Sequence, residues 1–339
     1  MAAEHGTEYA VIGAGVAGLT ATIELALRGA EVTVYTDTSA APPASEAAPA
    51  VFTPYPGGDP ARFQRWTEHA HQTLADLADH EPRSGVEMRE LREYFYQRPQ
   101  RPAWLDELLG TRPIRPIPKP FVEATSSIRA HIDMLTYLPW LRSMAERAGV
   151  EFVEQRIASF DQAFRFGHRV ILNCAGVGAA RLAADALVKP MHGQVVHTRN
   201  DIGLTYSLHD DAAGPAGQVA YIFVIDDRLV LGGTFDAGRS DQGTERTAID
   251  GIIQRCRALL RADGHPRWEE LGAEGSELRV MAGVRPTRGA AGAFEETRVE
   301  LQPFGHGRAV VHCYGHGRSG ASISWSTAAD AVELAMGGE

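Results

Sequence analysis

The chain has 339 residues with 44% hydrophobic and 22% charged side chains, which is typical of one large or two ordinary globular domains. Its formal net charge is −10 and its cations are almost all arginine, so the composition argues against nucleic acid and anionic membranes as partners. No apolar run reaches about 18 residues and no targeting segment is recognisable, so we expect a cytoplasmic protein.

The first predicted elements form a β-α-β unit. Residues 8–15 indicate a buried strand that enters a glycine turn, residues 16–29 a helix, and residues 30–37 a second strand. Residues 39–60 are rich in Ala, Pro and Gly, which predicts a loop or a crossover between domains. This opening pattern is typical of a parallel α/β layer.

The next elements alternate between helical and extended patterns. Asp59 and Pro60 form a helix start, and apolar residues at helical spacing follow it. The predicted elements are a helix over 61–80, a strand over 86–97, a proline-rich extended connection over 112–120, a helix over 137–149 and a strand over 150–155. Residues 168–187 then predict a strand, a glycine turn and a helix, repeating the opening pattern.

The last part of the chain is mainly extended. Strands are predicted at 193–198, 219–225, 228–235, 278–289 and 308–317, with a helix over 244–261 and another at the C-terminal end. Parallel α/β material thus occurs at the start, in the middle and at the end of the chain. We therefore expect two interleaved domains, not two in series.

The first glycine turn predicts dinucleotide binding. Gly13, Gly15 and Gly18 fit G-x-G-x-x-G between a strand and a helix that opens at Val16, and Asp37 follows nineteen residues after the last glycine. The glycines permit a tight turn, close approach to a pyrophosphate and helix packing on the strand. The carboxylate of the acid accepts a hydrogen bond from a ribose hydroxyl. The motif alone leaves NAD and FAD both open.

Several further blocks carry a family resemblance. They are "NCAGVGAARL" from Asn173, "MHGQVV" from Met191, "YIFVIDDRLVLGGTF" from Tyr221, "GVRPTRG" from Gly283 and "YGHGRSGASISW" from Tyr314. With "VIGAGVAGL" and "ASEAAPAVFTPY" they resemble, in order, the blocks of the D-amino acid oxidase and D-aspartate oxidase family over nearly the whole chain.

The resemblance implies an α/β fold with a discontinuous FAD-binding Rossmann-like domain and an α+β substrate domain with a largely antiparallel sheet. The FAD-binding domain is expected to comprise residues 1–50, 151–190 and 276–339, and the substrate domain residues 51–150 and 191–275. The second glycine turn, after Tyr314, resembles the family turn beside the flavin ring, where a helix N-terminus stabilises negative charge on reduced flavin. The residues expected to bind FAD are Gly13, Gly15, Val16, Gly18, Asp37, Cys174, Ala175, Gly176, Gly193, Gln194, Gly315, Gly317, Arg318, Ser319, Gly320, Ala321 and Ser322.

The resemblance also implies the chemistry. The neutral amine of a D-amino acid gives its Cα hydrogen as hydride to flavin N5, the imine hydrolyses to a keto acid, and O2 is reduced to H2O2. Arg285 matches the arginine that holds the substrate carboxylate, Tyr221 matches the tyrosine that joins it, and the backbone carbonyl of Arg318 is expected to accept from the amine.

This chain departs from the family pattern at two places. Position 318 is usually a small residue, so the Arg318 side chain either binds a second acidic group of the substrate or points to solvent. Residues 209–220 carry no aromatic lid residue, which suggests a more open cavity.

Other functions stay open at this point. The chain could oxidise glycine, an N-substituted amino acid or the amine of a specialised metabolite, or it could be a flavoprotein without turnover; an NAD-dependent dehydrogenase would be colourless. The expected partners are the small amino-acid substrate and O2, with a homodimer left open and with neither nucleic acid nor membrane.

We expect no metal site, since His312, Cys313 and His316 lack a fourth ligand. The cysteines, Cys174, Cys256 and Cys313, are expected to be buried free thiols in a reducing compartment.

Overall fold

The computed structural model describes residues 8–37, 44–55, 58–211, 218–289 and 296–337. Its helices are α1 (Val16–Leu27), α2 (Pro60–His80), α3 (Ala103–Leu108), α4 (Met134–Arg147), α5 (Phe160–Arg165), α6 (Ala179–Leu182), α7 (Arg246–Asp263) and α8 (Gly320–Ala335). Its strands are β1 (Tyr9–Ile12), β2 (Val32–Thr36), β3 (Ala50–Val51), β4 (Val86–Phe95), β5 (Arg112–Pro113), β6 (Glu123–Ile132), β7 (Glu151–Glu154), β8 (Val170–Asn173), β9 (Val188–Arg199), β10 (Ser207–Asp210), β11 (Tyr221–Ile225), β12 (Arg228–Gly232), β13 (Asp236–Ala237), β14 (Arg279–Arg288), β15 (Arg298–Gly305) and β16 (Arg308–Tyr314).

The first sheet has six strands in the order β15-β16-β8-β1-β2-β7. All are parallel except β15, which pairs antiparallel with β16 at the edge. Both faces are covered, as parallel sheets require. Tyr9 and Val11 face the core under α1, α2, α4 and α8, and Ala10 and Ile12 face the cluster that α5 completes.

The second sheet is largely antiparallel and follows the order β13-β9-β12-β11-β10-β4-β6-β3, with β14 paired to β9 and β5 to β6. Among the described strands, β4 and β10 form its parallel pair. On β11, Ile222 and Val224 pack in the cluster under α7, whereas Tyr221, Phe223 and Ile225 point to the opposite face. This alternation directs one face of the sheet toward the first sheet.

Local sequence explains most element boundaries. The Asp59 side chain accepts a hydrogen bond from Arg62 N at the start of α2, and Asp133 accepts from Leu135 N at the start of α4. Gly29 follows α1 with a φ of 80°. The predicted fold class, an α/β layer with a second, largely antiparallel sheet, is present in the structure.

Two predictions differ from the structure in detail. The helix expected within 168–187 is reduced to α6, because Gly176 turns with a φ of 57° and Ala184 with a φ of 48°, so helical backbone is interrupted on both sides. The sequence analysis also missed β6, β10, β15, α3 and α5. In β6 and β15 the alternation of buried and exposed residues is irregular, and the other three elements have only four to six residues.

The two sheets draw their strands from alternating parts of the chain. The first takes its strands from residues 9–36, 151–173 and 298–314, and the second from residues 50–132 and 188–288. The strand β14 lies in the range predicted for the FAD-binding domain but pairs with β9 along its whole length. The exact domain boundaries stay a prediction. Within the described residues, no helix is both long and apolar enough to cross a membrane.

Candidate active site

A cavity of about 770 Å³ lies between the two sheets. One wall consists of the turns that follow the carboxyl ends of β1, β2, β8 and β16, which is where parallel α/β sheets bind ligands. The other wall consists of residues from β9, β11 and β14 and from the segment after β12. The cavity therefore joins the two glycine turns to the antiparallel sheet.

The first glycine turn is fixed by close backbone contacts. Gly13 has a φ of 107°, and a Cβ on it would lie 2.5 Å from the Cys174 carbonyl oxygen. A Cβ on Gly18 would lie 1.9 Å from the Gly13 carbonyl oxygen, so α1 packs on β1 only with glycine there. Val16 N donates to Ser45 Oγ at 3.1 Å and both residues line the cavity. The N-terminus of α1 thus faces the cavity.

One end of the cavity carries an acid, as the motif predicts. Asp37 follows β2 and lines the cavity, with its Oδ2 3.6 Å from Arg156 Nε. The turn after β8 continues this wall through Cys174, Ala175 and Gly176, and the Asn173 side chain accepts from Ala175 N at 3.3 Å.

The second glycine turn bridges the two walls. Gly315 and Gly317 have φ values of 84° and 52°, and Gly317 N donates to the Pro286 carbonyl at 3.1 Å. After this turn α8 begins, and its first residues are anchored to the segment that follows β3. Ser319 Oγ accepts from Tyr55 N and Ser322 Oγ from Thr53 N, each at 3.2 Å.

Arg285 is held over a glycine. A Cβ on Gly193 would lie 2.1 Å from Arg285 Nη1, so the guanidinium lies over β9 at a position where that strand has no side chain. Its Nη1 donates to the Thr234 carbonyl at 3.3 Å, and its Cζ lies 4.9 Å from the centre of the Phe235 ring. Arg285 lines the cavity, so its guanidinium is placed next to an anion that binds there.

Tyr221 also packs over a glycine. A Cβ on Gly232 would lie 2.0 Å from Tyr221 Cζ, and the Tyr221 ring stacks on Phe223 with 4.5 Å between centroids. Burial raises the pKa of Tyr221 well above its ordinary value, so its hydroxyl is a hydrogen-bond donor at neutral pH. Two glycine contacts thus position the predicted arginine and tyrosine side chains in one cavity.

Arg318 lies at the mouth of the cavity. Its side chain is exposed, and its Cζ lies 4.0 Å from the centre of the Tyr55 ring and 6.0 Å from that of Phe235. Arg318 is among the residues that line the cavity, and its guanidinium stacks on the Tyr55 ring although the side chain is exposed. Phe235 therefore has both Arg285 and Arg318 beside it.

Sequence reasoning missed several lining residues: Ser45, Tyr55, His209 and Phe235. Ser45 and Tyr55 lie in the quoted "ASEAAPAVFTPY" block, which could have drawn attention to them. His209 stacks with Tyr221 at 6.4 Å, and burial lowers the pKa of its imidazole. Phe235 ends the quoted "YIFVIDDRLVLGGTF" block, whereas nothing local in the sequence distinguishes His209 from other strand-end residues.

A buried ion-pair network lies behind His209. Glu93 pairs with Arg129 and, at 2.9 Å, with Arg101, and these cations together hold the pKa of Glu93 below its ordinary value despite burial. The Glu93 charge favours protonation of His209, but burial outweighs it. The network supports the cavity wall.

Most of the predicted cofactor residues line the cavity, and four do not. Gly18, Gly315 and Ser319 shape its walls through the contacts described above. Gln194 points toward α7, where its Oε1 accepts from Glu245 N at 2.7 Å, and its own backbone N donates to Thr234 Oγ1. The cofactor role of Gln194 remains a prediction that this contact does not support.

Two further expectations concern the lid segment and a metal site. In the lid segment 209–220, residues 212–217 lie outside the described residues. His312 Nε2 lies 2.8 Å from Gln302 Oε1, and His316 Nε2 lies 2.9 Å from Thr327 Oγ1. Across the part of the chain that the structure describes, no group of three potential metal ligands is present.

The cavity fits the expected FAD. It extends from the acid after β2, past the N-terminus of α1, to the N-terminus of α8 and the arginine and tyrosine of the second sheet. Each wall contains a glycine at a close contact. A Cβ on Gly13 would meet backbone atoms, and a Cβ on Gly193 would meet the Arg285 guanidinium. Two helix N-termini suit the pyrophosphate and a flavin ring that gains negative charge.

Comparisons with known proteins identify the family of the chain. Residues 8–334 match the model of the family described as FAD-dependent oxidoreductase. A D-amino-acid oxidase of Rubrobacter xylanophilus is 34% identical over 328 residues, covering 96% of this chain and 94% of the relative. A human D-aspartate oxidase is 26% identical, covering 96% and 93%. Glycine oxidase from Bacillus cereus superposes with a TM-score of 0.74 at 17% identity, covering 98% and 96% of the two chains.

Proposed function

Since the chain belongs to the FAD-dependent oxidoreductase family and is a flavoprotein that oxidises amino acids, we propose that its substrates are D-amino acids, with acidic ones preferred. The predicted family, fold class and FAD cofactor are confirmed. In the proposed reaction, a D-amino acid, O2 and water yield a keto acid, ammonia and hydrogen peroxide. Bound FAD supplies the acceptor for the hydride of Cα.

Arg285 carries the proposal. Arg285 lines the cavity where β14 pairs with β9, and Gly193 leaves room for its guanidinium. A planar guanidinium binds a carboxylate by two parallel hydrogen bonds, which fixes the position of the carbon next to that carboxylate. We assign this side chain to the α-carboxylate of the substrate, because this contact orients Cα for reaction.

Tyr221 and the second glycine turn complete the proposed contacts. The raised pKa of Tyr221 keeps its hydroxyl protonated, so it donates to the same carboxylate. The backbone carbonyl of Arg318 would accept a hydrogen bond from the substrate amine. Neither contact requires a strong acid or base from the protein, because the hydride leaves together with its electron pair.

The preference for acidic substrates rests on the second arginine. Arg285 and Arg318 approach the same Phe235 ring, at 4.9 and 6.0 Å from its centre. An acidic amino acid carries two carboxylates, so one can bind each guanidinium. Stacking on Tyr55 at 4.0 Å limits the motion of Arg318, which reduces the entropy that a substrate contact costs.

Anaerobic reduction of the bound flavin tests the proposal. The purified protein is mixed with D- and L-isomers of Asp, Glu and Ala, and with glycine and sarcosine, and bleaching of the oxidised flavin band is followed. We expect D-Asp and D-Glu to bleach the flavin fastest and the L-isomers to leave it oxidised. Faster bleaching by glycine or sarcosine would instead support the alternative that the enzyme oxidises glycine or N-substituted amino acids.

The variant Arg318→Ala separates the acidic preference from the D-amino acid assignment. We expect roughly 10- to 100-fold slower reduction by D-Asp and little change with D-Ala, because one charge-assisted contact is lost. Arg62→Ala is a matched control, since Arg62 stacks on Trp66 at 4.4 Å outside the cavity lining. Equal losses for D-Asp and D-Ala would refute the acidic preference while leaving the oxidase assignment intact.

A further inference from the structure

Two cysteines lie side by side at the floor of the cavity. The parallel pairing of β8 with β16 aligns Asn173 with His312, so the next residues along, Cys174 and Cys313, are neighbours as well. Asn173 Nδ2 lies 3.3 Å from His312 Nδ1 on one face of the sheet, which places the two cysteines together on the other face. Adjacent strands are about 4.8 Å apart, within the Cα separation that a disulfide spans.

The two thiols are close enough to affect each other's ionisation, and both residues line the cavity. Cys174 is 6% exposed and Cys313 is fully buried, and because both line the cavity, the cavity is the route by which a small oxidant would approach them. Neither residue has a role in the contacts proposed for the substrate.

The surroundings of the pair favour a thiolate at one position. Interaction with Cys174 and His316 holds the pKa of the Cys313 thiol below its ordinary value despite burial, whereas the interaction with Cys313 and burial together raise that of Cys174. A thiolate is the form of cysteine that attacks peroxide, and a neighbouring thiol then resolves the product. The pair therefore combines an activated sulfur with a second thiol on the neighbouring strand.

We propose that Cys174 and Cys313 form a reversible disulfide beneath the cofactor cavity, with hydrogen peroxide as the oxidant. The thiolate sulfur attacks peroxide, so an S–O bond forms, the O–O bond breaks and hydroxide leaves. The second sulfur then attacks the sulfenic sulfur, the S–S bond forms, the S–O bond breaks and hydroxide leaves again. The two thiol protons complete two water molecules, so two thiols and one peroxide yield one disulfide and two waters.

The structural consequence is local to the two glycine-rich turns. Cys174 begins the turn after β8, and Cys313 is followed at once by the second glycine turn. The disulfide would tie the carboxyl ends of both strands together directly under the cofactor. Peroxide is the product that the proposed activity releases above this pair, but the cross-link itself requires only peroxide.

Peptide mapping of the peroxide-treated holoprotein tests this proposal independently of turnover. The FAD-loaded protein is treated with one equivalent of added hydrogen peroxide, denatured, alkylated and digested without reductant. We expect one cross-linked peptide that contains Cys174 and Cys313, lighter by two hydrogen atoms than the sum of its parts. The count of free thiols should fall from three to one, and dithiothreitol should restore it.

Cys256 is the internal control. It is fully buried in α7, its Sγ contacts the Tyr221 carbonyl at 3.2 Å, and it is absent from the cavity lining. Its thiol should persist, Cys256→Ser should still form the cross-link, and Cys174→Ser or Cys313→Ser should abolish it. A cross-link between chains, separate oxygen additions on the two cysteines, or three intact thiols would each overturn the proposal.

Discussion

The two walls of the cavity are built in opposite ways. The wall of the parallel sheet is made of backbone, and its glycines at 13 and 18 pack where any added Cβ would clash with a carbonyl. The wall of the antiparallel sheet is made of the side chains of Arg285, Tyr221 and Phe235. Both walls need glycines, but the first presents backbone to the cavity, whereas the second uses Gly193 and Gly232 to position side chains that line it. Adding atoms at its glycines should damage the first wall, and removing atoms from its side chains should damage the second.

The largest effect is expected from adding one methyl group to the first wall. In Gly18→Ala the new Cβ would lie 1.9 Å from the Gly13 carbonyl oxygen, so α1 must move away from β1. We expect loss of bound FAD and a clear fall in the thermal unfolding midpoint. The ratio of flavin to protein absorbance and a thermal melt measure both.

Gly29→Ala is the control for that substitution. It lies just after the same helix, and nothing lies within 4 Å of its added Cβ, although its φ is 80°. It should cost only about 1 kcal/mol in stability through backbone strain and should retain FAD. If both variants lose flavin equally, the backbone-contact explanation of the first wall is wrong.

The next largest effect is expected from changing the second wall. Arg285→Lys keeps the charge but loses the planar fork, so kcat/KM for a D-amino acid should fall roughly 100-fold, with FAD content unchanged. Arg279→Lys, at the exposed start of β14, is the matched control and should have little effect. Steady-state kinetics with a flavin spectrum for each variant decide between these outcomes.

A smaller effect is expected at the tyrosine. Tyr221→Phe removes one hydrogen bond to the substrate carboxylate, so kcat/KM should fall roughly tenfold. Because burial raises the pKa of Tyr221 above its ordinary 10.0, the ratio of wild-type to variant rates should stay constant from neutral pH up to that value. A ratio that falls toward one below pH 10 would show that the hydroxyl ionises earlier.

A further effect, on stability and not on activity, concerns a buried acid behind the second wall. Burial raises the pKa of Asp210 from 3.8 to about 7. Between these values the folded protein holds a proton that the unfolded chain has lost, so the free energy of unfolding falls as the pH rises. Asp210→Asn should therefore gain stability relative to the wild type between about pH 4 and about pH 8.

Thermal melts at both pH values measure this gain. The amide oxygen of the asparagine can still accept from Ala220 N, as the Asp210 Oδ1 does now. Asp227→Asn, on an exposed turn, is the control and should show no such gain. A variant whose relative stability is the same at both pH values would contradict the raised pKa.

The sequence predicted the first wall better than the second. The glycine spacing at 13, 15 and 18 and the acid at 37 have a local meaning, because turn, helix start and strand end follow each other directly in the chain. For Arg285 and Tyr221 the residues alone were ambiguous, and the family resemblance was needed. The contacts of these two side chains with Gly193 and Gly232 are apparent only from the structure.

The remaining features depend on contacts between distant segments. Tyr55 meets Arg318 across more than half of the chain, and His209 and Phe235 reach the cavity from the ends of different segments. Periodicity describes which face of an element is buried, but it does not state which other element covers that face. Strand pairing in the second sheet, including that of β14 with β9, was unpredictable for the same reason.

The packing of α1 against α8 has a consequence for the order in which the protein is made. Thr20 Oγ1 donates to the Ser324 carbonyl across 304 positions of sequence, and the second glycine turn directly precedes α8. During synthesis the first glycine turn leaves the ribosome long before α8, so one side of the cavity is missing until α8 has emerged. Contacts of such sequence separation slow folding. Flavin capture should therefore wait for α8, and a nascent chain that ends before α8 should bind none.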